Sequence, residues 1–345
     1  MRILSLFILI LSWSANSWAQ VPDGYYDSAE GQEAQDLREA LKNIIDNHDI
    51  QSYSSLWNWF EDTDANEEGK VWDMYSDQPG NIADYYYNFG SDQCGSYDEE
   101  GDCFNREHSF PSSWFDGNTP MNSDLFQLYP TDGYVNNRRN NYPFGTVENA
   151  SWTSSNGSKL GSSSFPGYNG IVFEPIDEYK GDFARTYFYM LTRYMDFADS
   201  WSSPMLLDGD FVYWAKEMLI DWADNDQVSE KEQDRNNAVY QIQDNRNPFI
   251  DRPEFVELIW PADTSETIDI IHYSGLTSFW YSSSYIYQNN LLEGNEYLNI
   301  YNYQGQLIST ELFEEERLNL NFLSPGMYFA VFPMHPELPA LRFVH

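Results

Sequence analysis

Glu107 and His108 are neighbours in the chain, and Asn136, Arg138 and Arg139 follow at short range. A carboxylate beside an imidazole, then an amide and two guanidinium groups, is an inventory for metal-assisted cleavage of a phosphodiester. A hard cation takes oxygen ligands, which Glu107 and the side-chain carbonyl of Asn136 supply while leaving most positions to water and substrate. An imidazole titrates near working pH, so His108 can deprotonate an attacking water. Arg138 and Arg139 can each hold a phosphate in bidentate fashion. By residue type alone a lone Glu-His pair is more often a surface or satisfied core pair, so the wording around it has to decide. The metal is better defined. Of five histidines, His272, His335 and His345 lie in the tail, and His48 and His108 are too few for a His-rich zinc site. An oxygen-rich Mg²⁺ site fits, with Ca²⁺ or Mn²⁺ as alternatives.

The wording is specific. Asn105-Arg106-Glu107-His108, Pro111-Ser112-Ser113-Trp114-Phe115, Asp124-Leu125, the run Leu128 to Arg139 and Asn141-Tyr142-Pro143-Phe144-Gly145 resemble the bacterial endonuclease I family of secreted, non-specific nucleases. The likeness continues through Phe173-Glu174-Pro175, Lys180 to Tyr194, and Asn245 to Phe255. It implies an α+β fold whose active centre is a ββα-metal finger with surrounding helices, Glu107 and Asn136 as metal ligands and His108 as general base. It further implies cleavage of DNA and/or RNA to 5′-phosphate ends, and it brings in Arg185 as a phosphate contact beside Arg138 and Arg139. Relatives often carry His where this chain has Phe126 and Gln127, which removes imidazoles from the neighbourhood of the site. A catalytically weak relative that binds extracellular nucleic acid is therefore the alternative reading. Adjacent residues on a regular strand face opposite sides, so a bulge or turn is expected where Glu107 and His108 serve one site.

Several elements must position these groups. Ala34, Leu37, Leu41, Ile44 and Ile45 recur at helical spacing, and His48 after them reads as a structural residue. Trp57, Trp59, Trp72 and Tyr75 read as core. Ser, Gly and Asn dominate from Ser151 to Tyr168, which predicts a loop. Apolar residues mark one face of a helix from Gly181 to Met195, with Arg185, Tyr189 and Arg193 as a separate stripe, and another helix spans Phe211 to Trp222. Cys94 and Cys103 are the only cysteines, and in an exported chain such a pair reads as a disulfide holding the segment that leads into Asn105. Thiol ligation of a metal is the weaker alternative. The acidic run Asp98, Glu99, Glu100 and Asp102 between them reads as a solvated tip, with a calcium site as the rival.

The chain divides into three stretches. Residues 1–19 carry an apolar run from Ile3 to Trp13 and a Ser17-Trp18-Ala19 cleavage pattern, which predicts a signal peptide too short to span a bilayer. Residues 20–260 form the catalytic domain. Residues 261–345 turn to short β-rich runs, Tyr297 to Tyr303, Leu307 to Phe313, Leu318 to Phe322 and Met327 to Phe332, with turns at Gln304-Gly305 and Ser324-Pro325-Gly326. This small all-β module resembles the C-terminal sorting domain of type IX secretion, which implies a secretion-machinery partner and delivery through the periplasm to the medium or the cell surface. A carbohydrate-binding or structural module is its rival. The net charge of −37 opposes encounter with a polyanion, so local cations and a metal have to overcome it; it also suits solubility at high salt.

Overall fold

A computed structural model describes residues 21–165, 168, 170–261, 271–273, 277–282, 285–288, 296–302, 305–313, 317–324, 327–333 and 341–344. The signal-peptide stretch and parts of both C-terminal turns lie outside the described residues. In chain order, helix α1 (Ala34–Ile45) and helix α2 (Leu56–Thr63) precede strand β1 (Phe104–His108), strand β2 (Leu128–Asp132) and helix α3 (Gly133–Arg139). Strands β3 (Val147–Thr153), β4 (Lys159–Ser163) and β5 (Ile171–Glu174) follow, then helix α4 (Lys180–Arg193). Helices Tyr213–Asn225 and Glu230–Gln243 and the short helices Pro248–Asp251 and Phe255–Ile259 complete this part, and α+β is its class.

Helix α4 is the axis of the core. Gly181 through Arg193 are all buried, so its two apolar faces are covered by α1 on one side and by Tyr213–Asn225 on the other. A helix buried all round must satisfy its polar groups internally. The stripe Arg185, Tyr189 and Arg193 does so with Glu232, Asp124 and Asp46 respectively. His48 accepts from the Arg193 guanidinium at 3.1 Å, a structural place as its position after α1 suggests.

The Ser-rich segment is a loop only in part, with Ser151 to Thr153 and Lys159 to Ser163 in strands. Strands β3, β4 and β5 form an antiparallel meander covering much of Ser151 to Tyr168. Its exposed face needs no apolar alternation, which hid it from the composition. A Cβ at Gly161 would lie 2.2 Å from the Asn149 carbonyl oxygen, so the glycine there permits close strand approach at an irregular register.

The C-terminal part is all β. Two four-stranded antiparallel sheets, one centred on Tyr285–Gln288 and Thr277–Ser282, the other on Glu296–Asn302 and Met327–Val331, share a core that includes Ile286, Leu298, Ile300, Ala330 and Phe343. The large core of the rest of the protein runs from Tyr26 to Trp260 and shares no residue with it. Among the described residues no helix is long and apolar enough to cross a membrane.

Candidate active site

Strands β1 and β2 pair antiparallel from Phe104↔Asp132 to His108↔Leu128 without a register shift, and α3 begins at the next residue. Asp132 is the hinge of this unit. Its Oδ1 accepts from the Val135 amide at 2.8 Å and caps α3, while its Oδ2 accepts from Tyr87 and from the Gly101 amide. Buried Asp73 accepts from the Asp132 amide, the Tyr75 amide and the Ser76 hydroxyl. Burial, then the neighbouring Asp132, push the Asp73 carboxyl up to about 8.

The disulfide Cys94–Cys103 is formed, and its ring packs on the start of α3. A Cβ at Gly133 would meet both Cys94 Sγ and Tyr97 Cδ1 at 2.8 Å. Close docking of the ring therefore places Tyr97 beside the helix that carries Asn136. In the acidic run between the cysteines, Asp102 Oδ2 accepts from the Asp98 and Glu99 amides and Glu100 Oε2 from the Ser155 amide.

A cavity of about 320 Å³ opens between the end of β1 and α3, lined by Arg106, Glu107, His108 and Asn136, with Tyr97, Ser112, Ser113, Asn137, Asn140 and Asn141 around them. No bulge brings Glu107 and His108 together. The expected distortion is absent because His108 is the last residue of β1, and the cavity sits around the strand's end rather than over one face. Glu107 is 2% exposed, and its Oε1 accepts from the Tyr75 hydroxyl and from Arg139 Nη1, both at 2.8 Å. Burial pushes this carboxyl up to about 7, against the pull of Arg139 and of the Tyr75 hydroxyl. Among the described residues nothing donates to Glu107 Oε2. Asn136 donates through Nδ2 to Asn105 Oδ1 at 2.7 Å, which turns its own Oδ1 away from that contact and leaves it without a protein donor among the described residues. One carboxylate oxygen and one amide oxygen on the same cavity form a donor set for a hard cation that keeps several waters.

His108 Nε2 lies 3.2 Å from the Asn122 carbonyl oxygen. A carbonyl only accepts, so Nε2 carries the proton and Nδ1 keeps its lone pair. The ring stacks on Tyr53, 5.7 Å between centroids, with Phe115 on its flank. Burial pushes the imidazole down to about 4, opposed by the Asn122 hydrogen bonds, so the base is neutral at neutral pH.

Two arginines belong elsewhere. Arg139, fully buried, donates to Glu107, to the His108 carbonyl and to Ser109 and Tyr187; it braces the carboxylate and does not line the cavity. Arg185 donates from Nε and Nη2 to the two oxygens of Glu232 and from Nη1 to the Asp226 carbonyl. Glu232 also accepts from the Ser229 amide in a capping box, so the pair fastens helix Glu230–Gln243 to α4 and is no phosphate site. Arg138 is exposed, its guanidinium 4.8 Å from the Tyr134 ring and 5.9 Å from that of Trp152. Phe126 packs on Tyr189 and Gln127 donates to the Met121 carbonyl; neither lines the cavity, so the residues at these positions take no imidazole out of it. Tyr75, expected as mere core, holds the site carboxylate. Sequence reasoning missed Tyr75, Tyr53 and Arg106; only Arg106, inside the motif itself, was within reach of it.

A neutral imidazole, a carboxyl group and an amide oxygen line one open cavity, a set of groups with which a phosphodiester could be hydrolysed. Residues 33–254 match the endonuclease I family. The chain is 34% identical over 247 residues to the extracellular ribonuclease of Bacillus subtilis, covering 69% of this chain and 79% of that protein. It is also 34% identical over 244 residues to the extracellular ribonuclease of Bacillus amyloliquefaciens, 68% and 78% of the two chains. The chain belongs to the endonuclease I family, and it is a nuclease.

Proposed function

We propose that this nuclease is exported and metal-dependent, hydrolysing DNA and/or RNA to 5′-phosphate ends. The observation that carries the reading is that Glu107 and Asn136, each with one oxygen that accepts from no protein donor among the described residues, line the same cavity as His108, whose tautomer leaves Nδ1 with its lone pair. Export and action on RNA are supported by the two relatives, both extracellular ribonucleases.

Glu107 and Asn136 would hold Mg²⁺, and a cation bound there supplies stabilisation of the negative charge that builds on the phosphoryl oxygens. His108 Nδ1 removes a proton from the attacking water as its oxygen bonds to phosphorus. The bond from phosphorus to the 3′-oxygen breaks, and that oxygen takes a proton from solvent, which leaves a 3′-hydroxyl and a 5′-phosphate. Tyr53 and the Asn122 carbonyl fix the imidazole plane, and Arg139 with Tyr75 fixes the carboxylate. Arg138 stands on the outer side of α3 as a contact for a flanking phosphate. The C-terminal module is read as the sorting domain for the secretion machinery, delivering the enzyme beyond the periplasm.

Digestion of plasmid DNA and of RNA, each with Mg²⁺ and with EDTA, tests the reading. Cleavage abolished by EDTA and restored by Mg²⁺ is the expected result. Full cleavage in EDTA would sink metal dependence, and binding without cleavage would favour a catalytically weak relative.

A further inference from the structure

In a chain with 55 acidic side chains, a guanidinium without a carboxylate is an exception that calls for a reason. Among the arginines whose side chains are described, every one forms an ion pair with Asp or Glu except Arg106 and Arg138. Of these two, only Arg106 lines the cavity.

Arg106 is held in place without its charge being cancelled. Nη1 donates to the Tyr53 carbonyl at 2.6 Å, and the guanidinium carbon lies 3.6 Å from the centre of the Tyr53 ring and 4.6 Å from that of Trp57. No carboxylate pairs with it; Tyr53, through its carbonyl and its side chain, is its hydrogen-bonding partner among the described residues. On a strand, residues two apart share a face. Arg106 and His108 are so placed on β1, and the Tyr53 ring lies against both. An anion that accepts from Arg106 is thereby brought alongside the imidazole. Stacking on two rings immobilises the fork before substrate arrives, so little rotamer freedom is lost on binding.

We infer that Arg106 is the phosphate-binding cation of the cavity, contacting a non-bridging oxygen of the scissile phosphate or its neighbour, with Tyr53 as the residue that positions it against His108. The inference rests on the nuclease mechanism above and adds the group that receives the substrate's charge. Arg139 and Arg185 are unable to do so, being bound to Glu107 and Glu232.

The test compares wild type, Arg106→Met and Arg106→Lys on a short single-stranded oligonucleotide with Mg²⁺. Binding of the same oligonucleotide is followed by fluorescence anisotropy in a His108→Ala background as salt is raised. Loss of one charge-assisted contact is expected to raise KM and weaken binding about 10- to 100-fold in the Met variant. The slope of log affinity against log salt should move by about 0.7 in the positive direction, the share of one single-strand phosphate. Lys should restore the slope and only part of the affinity. A folded Met variant with unchanged KM and unchanged slope would overturn the assignment. Should Met disturb folding, Arg106→Gln, which keeps a donor and removes the charge, serves the same comparison. Wild type that fails to cleave would sink the mechanism instead, and the binding arm would still read Arg106.

Discussion

At the scale of single residues, the burial of each charge separates roles that the motif leaves mixed. His108→Ala should lower kcat by about 10²- to 10⁴-fold with the fold intact, as checked by turnover and circular dichroism; wild-type turnover in a folded variant would remove His108 from the chemistry. Arg185→Met should behave in the opposite way. Removing one partner of a buried ion pair costs about 3–5 kcal/mol, so melting should drop sharply while the folded fraction keeps its KM. A raised KM at unchanged stability would return Arg185 to the substrate. The sequence made His108, Glu107 and Asn136 legible because their types name a chemistry. It could not tell a bound arginine from an open one, since Glu232, Asp226 and Tyr75 are far away in the chain and meet these side chains only in the folded protein.

Elements set the second scale, and the junction of β2 with α3 is the one that governs the site. Asp73 and Asp132 share it, and Asp73 titrates near 8 in the folded protein but near 3.9 when unfolded. A group whose folded pKa is raised binds more protons folded than unfolded. Its stabilising contribution is therefore complete below about pH 4 and is lost as pH rises through about 8. Comparing Asp73→Asn with wild type, the fall in melting temperature from pH 4 to 8 should be smaller in the variant; equal slopes would show that Asp73 is ionised throughout. Gly133→Ala tests the other side of the junction. Helix propensity alone favours Ala by about 1 kcal/mol, but the added carbon meets Cys94 Sγ and Tyr97, and such overpacking costs about 1–3 kcal/mol. Net loss of stability and of activity is expected, measured by melting and by cleavage rate. The helices α1 and α4 were legible from periodicity, whereas β3 and β4 were not, because β3 is largely exposed and β4 buries Gly161 and Ser163, so neither leaves an apolar alternation to read.

For the whole molecule the governing quantity is the charge of −37. Its repulsion of a polyanion acts over a Debye length of about 30 Å at 10 mM salt and about 8 Å at 150 mM, whereas contacts inside the cavity act over a few ångströms and are screened less. kcat/KM on a short oligonucleotide should therefore rise as NaCl goes from about 10 to 150 mM, contrary to the usual steep fall. A monotonic decrease would mean that the local field at the cavity dominates encounter. The two separate cores carry a further expectation. Residues 20–260 alone should fold and cleave like the full chain, because every residue of the site precedes residue 261 and the two hydrophobic cores share no residue; loss of cleavage on truncation would tie the β module to the catalytic fold.

The bond between Cys94 and Cys103 also works as a clock. A reducing cytosol does not permit it, so a newly made chain there lacks the ring that seats Tyr97 against Gly133. On the proposed export route, completion of the cavity rim would then coincide with arrival in an oxidising compartment. The producing cell's own chromosome and messages would lie on the other side of that event, and oxidation would guard against self-digestion.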